Sequence, residues 1–204
     1  MVKDMALRDY KRWINWSNIL SAAMIGFILV LLLIPDTKAI VLGGLMKIGF
    51  FQPALPDEKK HNTLDASVAP ASIQFEDKAG KIVSLADFKG KLVFVNFWAT
   101  WCPPCIAEMP SINKLRKRLN NDNKIAFVMV DMDSDLAKSN KFMVKKEYDL
   151  DIYLPASQLP REYYNGSLPT TLVFDKSGRL LFKHEGGADF TNKDFIEFLR
   201  KNMM

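Results

Sequence analysis

The chain has 204 residues, of which 49% are hydrophobic and 25% are charged, and its formal net charge at pH 7 is +5. A chain of this length buries one well-packed core with an appendage but not two ordinary domains. Its composition excludes a disordered or collagen-like protein. Lysines and arginines form no cluster interleaved with aromatic residues, so the sequence argues against nucleic-acid binding.

The N-terminal region has the pattern of a membrane anchor. No charged residue occurs from Trp13 to Pro35, and a helix of about 20 such residues crosses a hydrocarbon core. The basic residues before this run are Lys3, Arg8, Lys11 and Arg12. The positive-inside rule therefore places the N-terminus in the cytoplasm and the rest of the chain outside. A cleavable signal peptide shares these features, but the long run and the lack of a small-residue cleavage site favour an uncleaved anchor.

Two segments of different character follow the predicted anchor. Ala39 to Phe51 is apolar but too short to span a bilayer, and we expect it to lie along the outer membrane surface. Gln52 to Ala71 is rich in proline and polar residues, which predicts an extended, flexible tether. We divide the chain into a cytoplasmic N-terminus (1–12), a transmembrane anchor (13–35), a juxtamembrane segment with flexible linker (36–70) and a folded domain (71–204).

Short β-like runs and helical patterns alternate through the folded domain, which predicts an α/β fold with a mixed sheet. The predicted strands are 73–75, 81–83, 91–97, 125–130, 171–174 and 179–183. The first two and the last two of these strands form predicted hairpins. Helical spacing of apolar residues predicts helices beginning at Cys102, over 136–148, and after Thr191, which we expect to cap the last one.

The only two cysteines, Cys102 and Cys105, stand three positions apart. A C-x-x-C motif that follows a buried strand and opens a helix is typical of a thiol redox site. The free N–H groups and the dipole of a helix N-terminus favour a thiolate, so Cys102 is the predicted nucleophile with a lowered pKa. Cys105 is the predicted resolving residue. Pro103 and Pro104 are tolerated in the first helical turn and stiffen it.

Two other interpretations of the cysteines are weaker. A purely structural disulfide across two intervening residues removes very little entropy from the unfolded chain. A zinc or copper site needs further ligands, and only His61 and His184 offer imidazole groups. The sequence therefore predicts no metal and no other cofactor.

The run Val95 to Cys105, VNFWATWCPPC, resembles the active-site segment of the TlpA/ResA branch of the thioredoxin superfamily. The later run Ser167 to Thr171, SLPTT, also fits this branch, and the resemblance covers residues 71–204. It implies a thiol-disulfide oxidoreductase with a thioredoxin-like fold. In that fold a mixed central sheet is flanked by helices and preceded by an N-terminal hairpin. The branch adds a central αβ insertion, here within Asp131 to Ser167, and many members stand behind one transmembrane helix.

The resemblance also assigns substrate-binding residues. It implies that Pro169 is a cis-proline that faces the cysteines and that the Leu168 backbone pairs with the extended chain of a bound substrate. It places Trp101 and Pro103 on the surface offered to that substrate. Trp98 is either part of this aromatic shield or part of the core.

A third catalytic residue, Glu108, follows from the resemblance. It stands three positions after Cys105, where related proteins carry an acidic residue that assists proton movement at the buried cysteine. The alternative is a charge on the solvated face of the helix. Asn96 occupies the strand position where thioredoxin has a buried aspartate, so that proton-transfer role does not carry over to this chain.

The expected protein is thus a reductase at the bacterial inner membrane, single-pass, with its catalytic domain facing the periplasm or the cell exterior. Its expected partners are disulfide-containing or dithiol client proteins, with cytochrome c maturation as one setting, the lipid bilayer, and a membrane electron donor of the thiol-relay type. One alternative is a disulfide-donating oxidase of the same fold. Another is a non-catalytic binding or metal-delivery module, and a peroxidase is less favoured still.

Overall fold

The structure is a computed structural model that describes residues 16–33, 35–47, 51–53, 73–119 and 124–204. The helices are α1 (Trp16–Leu33), α2 (Pro35–Lys47), α3 (Pro103–Leu119), α4 (Leu136–Lys146) and α5 (Lys193–Met203). The strands are β1 (Gln74–Glu76), β2 (Ile82–Ser84), β3 (Leu92–Trp98), β4 (Ile125–Asp131), β5 (Ile152–Pro155), β6 (Thr170–Phe174) and β7 (Leu180–Glu185). A short 3-10 helix, Leu85–Phe88, follows β2.

The strands form one sheet in the order β2-β1-β5-β4-β3-β6-β7. β4 is parallel to both β3 and β5, and the β1–β2 and β6–β7 hairpins are antiparallel. The predicted mixed α/β sheet and both predicted hairpins are confirmed. The predicted insertion within Asp131 to Ser167 supplies α4 and β5, the latter being a strand that the sequence pattern had not assigned.

β3 lies inside the sheet, between β4 and β6, and all seven of its residues are buried. Because successive side chains of a strand point to opposite faces, the strand serves two core clusters. Leu92, Phe94 and Trp98 pack on the face that carries α3 and α5. Val93, Val95 and Phe97 pack on the face covered by Phe75, Leu85, Tyr163 and their neighbours. Because β3 is buried on both faces, it fixes the position of the loop that follows it, and this loop contains Cys102.

The last helix begins one residue later than its sequence suggests. The side chain of Asn192, not that of Thr191, accepts hydrogen bonds from the N–H groups of Asp194 and Phe195. The Thr191 hydroxyl instead lies 2.6 Å from a carboxylate oxygen of Asp189. The predicted Thr191 cap is therefore wrong, because its hydroxyl is already used by the preceding turn.

α1 covers part of the predicted anchor, whose residues 13–15 and 34 lie outside the described residues. Within the described ranges, none of the helices has the combined length and apolar character needed to cross a bilayer. The membrane anchor over 13–35 therefore stays a prediction.

α2 packs against the folded domain, although the sequence suggested that this segment lies on the membrane surface. Ala39 and Met46 are buried in a small cluster with Ile106 and Ala107 of α3. Gly43 lies so close to α3 that a Cβ placed on it would be 3.6 Å from the Ala107 carbonyl oxygen. The packed domain thus includes residues well before 71. Of the predicted tether, Gln52 to Ala71, residues 54–71 with His61 lie outside the described residues.

Candidate active site

The two cysteines lie at the junction between β3 and α3. Cys102 directly precedes the first residue of the helix, and it forms a disulfide with Cys105, with 2.07 Å between the sulfurs. The Cys105 N–H also donates to Cys102 Sγ over 3.3 Å. Cys102 is 3% exposed and Cys105 is fully buried. The predicted placement at a helix N-terminus is confirmed, with Cys102 on the outer side of the pair.

A carboxylate from the neighbouring strand end holds the loop before Cys102. The N–H and hydroxyl groups of Thr100 both donate to Asp133 Oδ2, over 3.0 and 2.5 Å. The Met132 N–H donates to the Trp98 carbonyl over 2.9 Å. Burial acts to raise the pKa of Asp133, but the hydrogen bonds from Thr100 and Lys138 outweigh it and lower that pKa.

Sequence reasoning missed Asp133. A signal was present, because it belongs to an acidic run, Asp131-Met132-Asp133-Ser134-Asp135, that directly follows the buried strand β4. The carboxyl ends of adjacent parallel strands meet at one edge of a sheet. β3 and β4 are such a pair, so their following loops are neighbours and exchange hydrogen bonds.

Glu108 lies one helical turn after Cys105 and is fully buried. Its Oε1 accepts a hydrogen bond from Asn96 Nδ2 over 2.8 Å, and its Oε2 accepts one from the Ala188 N–H over 3.2 Å. Desolvation by burial raises the pKa of Glu108 to about 8, against the opposing effect of these two hydrogen bonds. The interpretation of Glu108 as a solvated helix charge is wrong. At neutral pH this residue is mostly an uncharged acid that holds a proton.

Asn96 connects Glu108 to the sheet. Its Nδ2 donates both to Glu108 and, over 2.9 Å, to Thr171 Oγ1 of β6. Its Oδ1 is buried and has no hydrogen-bond partner among the described residues. Sequence reasoning recognised the position of Asn96 but not its contact with Glu108, which depends on α3 crossing directly over β3.

The predicted substrate-binding residues lie on two segments. The Leu168–Pro169 peptide bond is cis, as predicted, and the Pro169 carbonyl accepts from the Gly186 N–H over 2.8 Å. On the other segment, Trp101 is 60% exposed and Pro103 is half-buried. Their contact with substrate stays a prediction.

Trp98 belongs to the core rather than to the exposed shield. It is fully buried, with its ring centroid 5.5 Å from that of Phe142.

His184 lies in β7, where burial lowers its pKa. Across the described part of the chain, no three His, Cys, Asp or Glu side chains are placed to hold a metal ion.

Comparison with known proteins identifies the family. The model of the Redoxin family matches residues 63–195, which include both cysteines, Glu108 and Pro169. The chain belongs to the Redoxin family. It is an oxidoreductase, and its Cys102 and Cys105 are joined by a disulfide.

Two relatives show how this redoxin compares with other proteins. It is 30% identical over 166 residues to the thiol-disulfide oxidoreductase ResA of Bacillus cereus, covering 79% of this chain and 91% of the relative. It is 38% identical over 113 residues to the thioredoxin-like protein YneN of Bacillus subtilis, covering 53% of this chain and 64% of the relative. The resemblance to the ResA group is thereby confirmed.

A solved structure supports the fold assignment. A thiol:disulfide interchange protein of the thioredoxin family from Chlorobium tepidum matches with a TM-score of 0.56 and 26% identity, covering 69% of this chain and 99% of that one. This redoxin therefore has the thioredoxin-like α/β fold.

Proposed function

We propose that this redoxin reduces disulfides in exported proteins through a dithiol–disulfide cycle of Cys102 and Cys105. The observation that carries the proposal is the unequal exposure of a bonded pair at a helix N-terminus. Cys102 keeps 3% of its surface exposed, whereas Cys105, bonded to it, has none. A client sulfur therefore reacts with Cys102 first, and Cys105 reacts in the second step, when it attacks the mixed disulfide.

In the first step, the Cys102 thiolate attacks one sulfur of a client disulfide. A Cys102–client disulfide forms, the client S–S bond breaks, and the other client sulfur leaves as a thiolate. Cys105 then loses its proton and attacks Cys102 Sγ, which closes the Cys102–Cys105 disulfide and releases the second client thiolate. Two electrons have passed from the enzyme to the client. A dithiol donor returns the enzyme to its reduced form by the same steps.

Glu108 supplies a proton site close to Cys105. Residues three positions apart on a helix lie on the same face, and a carboxyl group with a pKa of about 8 exchanges protons near neutral pH. In this proposal Glu108 donates to the Cys105 thiolate when the enzyme disulfide opens. It takes the proton back when Cys105 attacks.

We further propose that residues 13–35 anchor this domain to the bacterial inner membrane and that residues 71–204 face the periplasm or the cell exterior. The uncharged run and the basic residues before it support this location. The exposed apolar side chains of α1 also support it. Their contact with water is unfavourable, whereas their contact with the hydrocarbon of a bilayer is not. These side chains include Ile19, Leu20, Met24, Ile25, Phe27, Ile28, Leu29, Val30 and Leu33.

The decisive experiment uses the full chain in its native cells. Cys105→Ala should accumulate mixed disulfides with clients and with the electron donor, and Cys102→Ser/Cys105→Ala is the matched control that should trap nothing. Apocytochrome c among the trapped clients would support the maturation role. Trapping at an equal level in the double variant would refute the nucleophilic role of Cys102.

The direction of electron flow is tested by alkylating thiols in intact cells. A reductase is held largely as the dithiol, whereas a disulfide-donating oxidase is held largely as the disulfide. Full biological activity in Cys102→Ser/Cys105→Ser would instead indicate a binding or metal-delivery module. Protease added to spheroplasts should digest the domain but leave a short membrane-protected fragment if the proposed anchor and orientation are correct.

A further inference from the structure

The turn between the two cysteines is covered on one side by the chain's own α2. Met46 of α2 is buried. Its Cε lies directly against Gly187: a Cβ placed on Gly187 would be only 2.5 Å from Met46 Cε. The same Cβ would be 3.2 Å from the Pro104 carbonyl oxygen. Met46, Gly187 and Pro104 therefore meet at one point, and Pro104 lies between the redox-active cysteines.

The chain after α2 is also attached to this side of the site. The Asp189 N–H donates to the Phe51 carbonyl over 2.9 Å, and Asn192 Nδ2 donates to Gln52 Oε1. These contacts tie residues 51 and 52 to the loop that follows β7. This loop also contains Gly187 and the Ala188 N–H that donates to Glu108. The contacts of Met46 in α2 and those of Phe51 and Gln52 thus hold this part of the chain beside the active site.

α2 forms a layer of its own on α3, separate from the main core cluster. Between α2 and α3 lies a cavity of about 460 Å³, lined by residues that include Ile40, Gly44, Pro110 and Lys114. Ala39 and Met46 of α2 are buried in a small cluster with Ile106 and Ala107 of α3. α2 is therefore an added layer over α3, and its contacts can be weakened without changing a residue of the main core cluster.

We propose that Met46, carried by α2, determines client specificity by closing the Gly187 and Pro104 side of the active site. This inference rests on the proposed reductase function. Since Cys102 is almost completely buried, a client must bring its sulfur in close contact with the surrounding surface. With one side closed, the approach is limited to the side of Trp101 and the Leu168–Pro169 segment. A flexible, extended chain fits this restricted approach, whereas a disulfide set in a broad folded surface collides with α2.

The test compares full-length wild type, Met46→Ala and Leu45→Ala. Leu45 is the matched control because it neighbours Met46 on α2 but is 37% exposed. Each protein is assayed for reduction of native pancreatic trypsin inhibitor, of a linear peptide joined by a disulfide to a small thiol, and of hydroxyethyl disulfide. The measured quantity is the ratio of kcat/KM for the folded inhibitor to kcat/KM for the peptide.

We expect Met46→Ala to raise this ratio by about fivefold, which corresponds to ~1 kcal/mol of transition-state free energy, and Leu45→Ala to leave it unchanged. An unchanged ratio in Met46→Ala, or an equal rise in both variants, would overturn the proposed specificity role. Failure of every variant, wild type included, to reduce hydroxyethyl disulfide would instead refute the reductase function.

A second pair of variants tests the contact itself. Gly187→Ala should lower the Tm of the oxidised protein, because the new methyl group displaces Met46. In Met46→Ala/Gly187→Ala the loss should be smaller than the sum of the two single losses, since the smaller side chain leaves room for the methyl group. Strictly additive losses would show that Met46 does not lie against Gly187, and the proposal would fail.

Discussion

The burial of Glu108 makes a quantitative prediction about stability as a function of pH. The perturbation is Glu108→Gln, which keeps the shape of the side chain and removes its titration. In the folded protein the pKa of Glu108 is raised by burial from 4.5 to about 8. The folded state therefore holds a proton that the unfolded chain releases between these two values.

The sign follows from this proton difference. The stabilising effect of the bound proton is complete below pH 4.5 and is lost as the pH rises towards 8. A complete one-proton difference changes the free energy of unfolding by about 1.4 kcal/mol per pH unit. Between pH 5 and pH 7, wild type should therefore lose roughly 2–3 kcal/mol relative to Glu108→Gln.

The assay is denaturant unfolding of the oxidised proteins at several pH values, because neither cysteine titrates while the disulfide is intact. Glu108→Gln should be less stable at pH 5, since its amide group cannot accept hydrogen bonds from both Asn96 and Ala188. Its stability should then depend less on pH than that of wild type. Glu197→Gln, which removes an exposed carboxylate on α5, should follow the wild-type slope. Parallel pH profiles for wild type and Glu108→Gln would refute the raised pKa of Glu108.

Other predictions concern the loop before Cys102, the cap of α5 and the pKa of the Cys102 thiol. Asp133→Ala leaves the two Thr100 donors without their acceptor, and it should cost ~1–3 kcal/mol in the free energy of unfolding. Since the pKa of Asp133 is lowered, this loss should disappear at acid pH, and an equal loss at all pH values would contradict it. Asn192→Ala should cost about 1 kcal/mol through loss of the helix cap, and Thr191→Ala should cost less; the reverse order in thermal melts would restore the Thr191 assignment. Alkylation of reduced Cys102 should have its midpoint below the value of about 8.5 for a free thiol, and a midpoint at or above that value would refute the predicted thiolate.

Local features of the sequence were sufficient to place the cysteine pair at the start of a helix. The buried run that becomes β3, the C-x-x-C motif and the apolar spacing of α3 are contiguous, so their order predicts a strand, a short loop and a helix. The cis peptide bond at Leu168–Pro169 was predicted from the family resemblance, and the structure confirms it.

Sequence patterns did not show which residues of a helix are buried by packing against other segments. The sequence around Glu108 is compatible with a solvated charge or a buried acid. The choice depends on α3 lying over Asn96 and on the loop that contains Ala188. The apolar residues of α2 were equally compatible with a membrane surface, and the structure packs Met46 against α3.

The position of the cysteine pair follows from local properties of the chain, namely the start of a helix and the spacing of Cys102 and Cys105. The surroundings of the pair depend on packing: the raised pKa of Glu108, the hydrogen bonds of Thr100 to Asp133, and the contact of Met46 beside Pro104. These three features join residues far apart in the chain. Such contacts depend on how the helices and strands pack, which no single segment encodes.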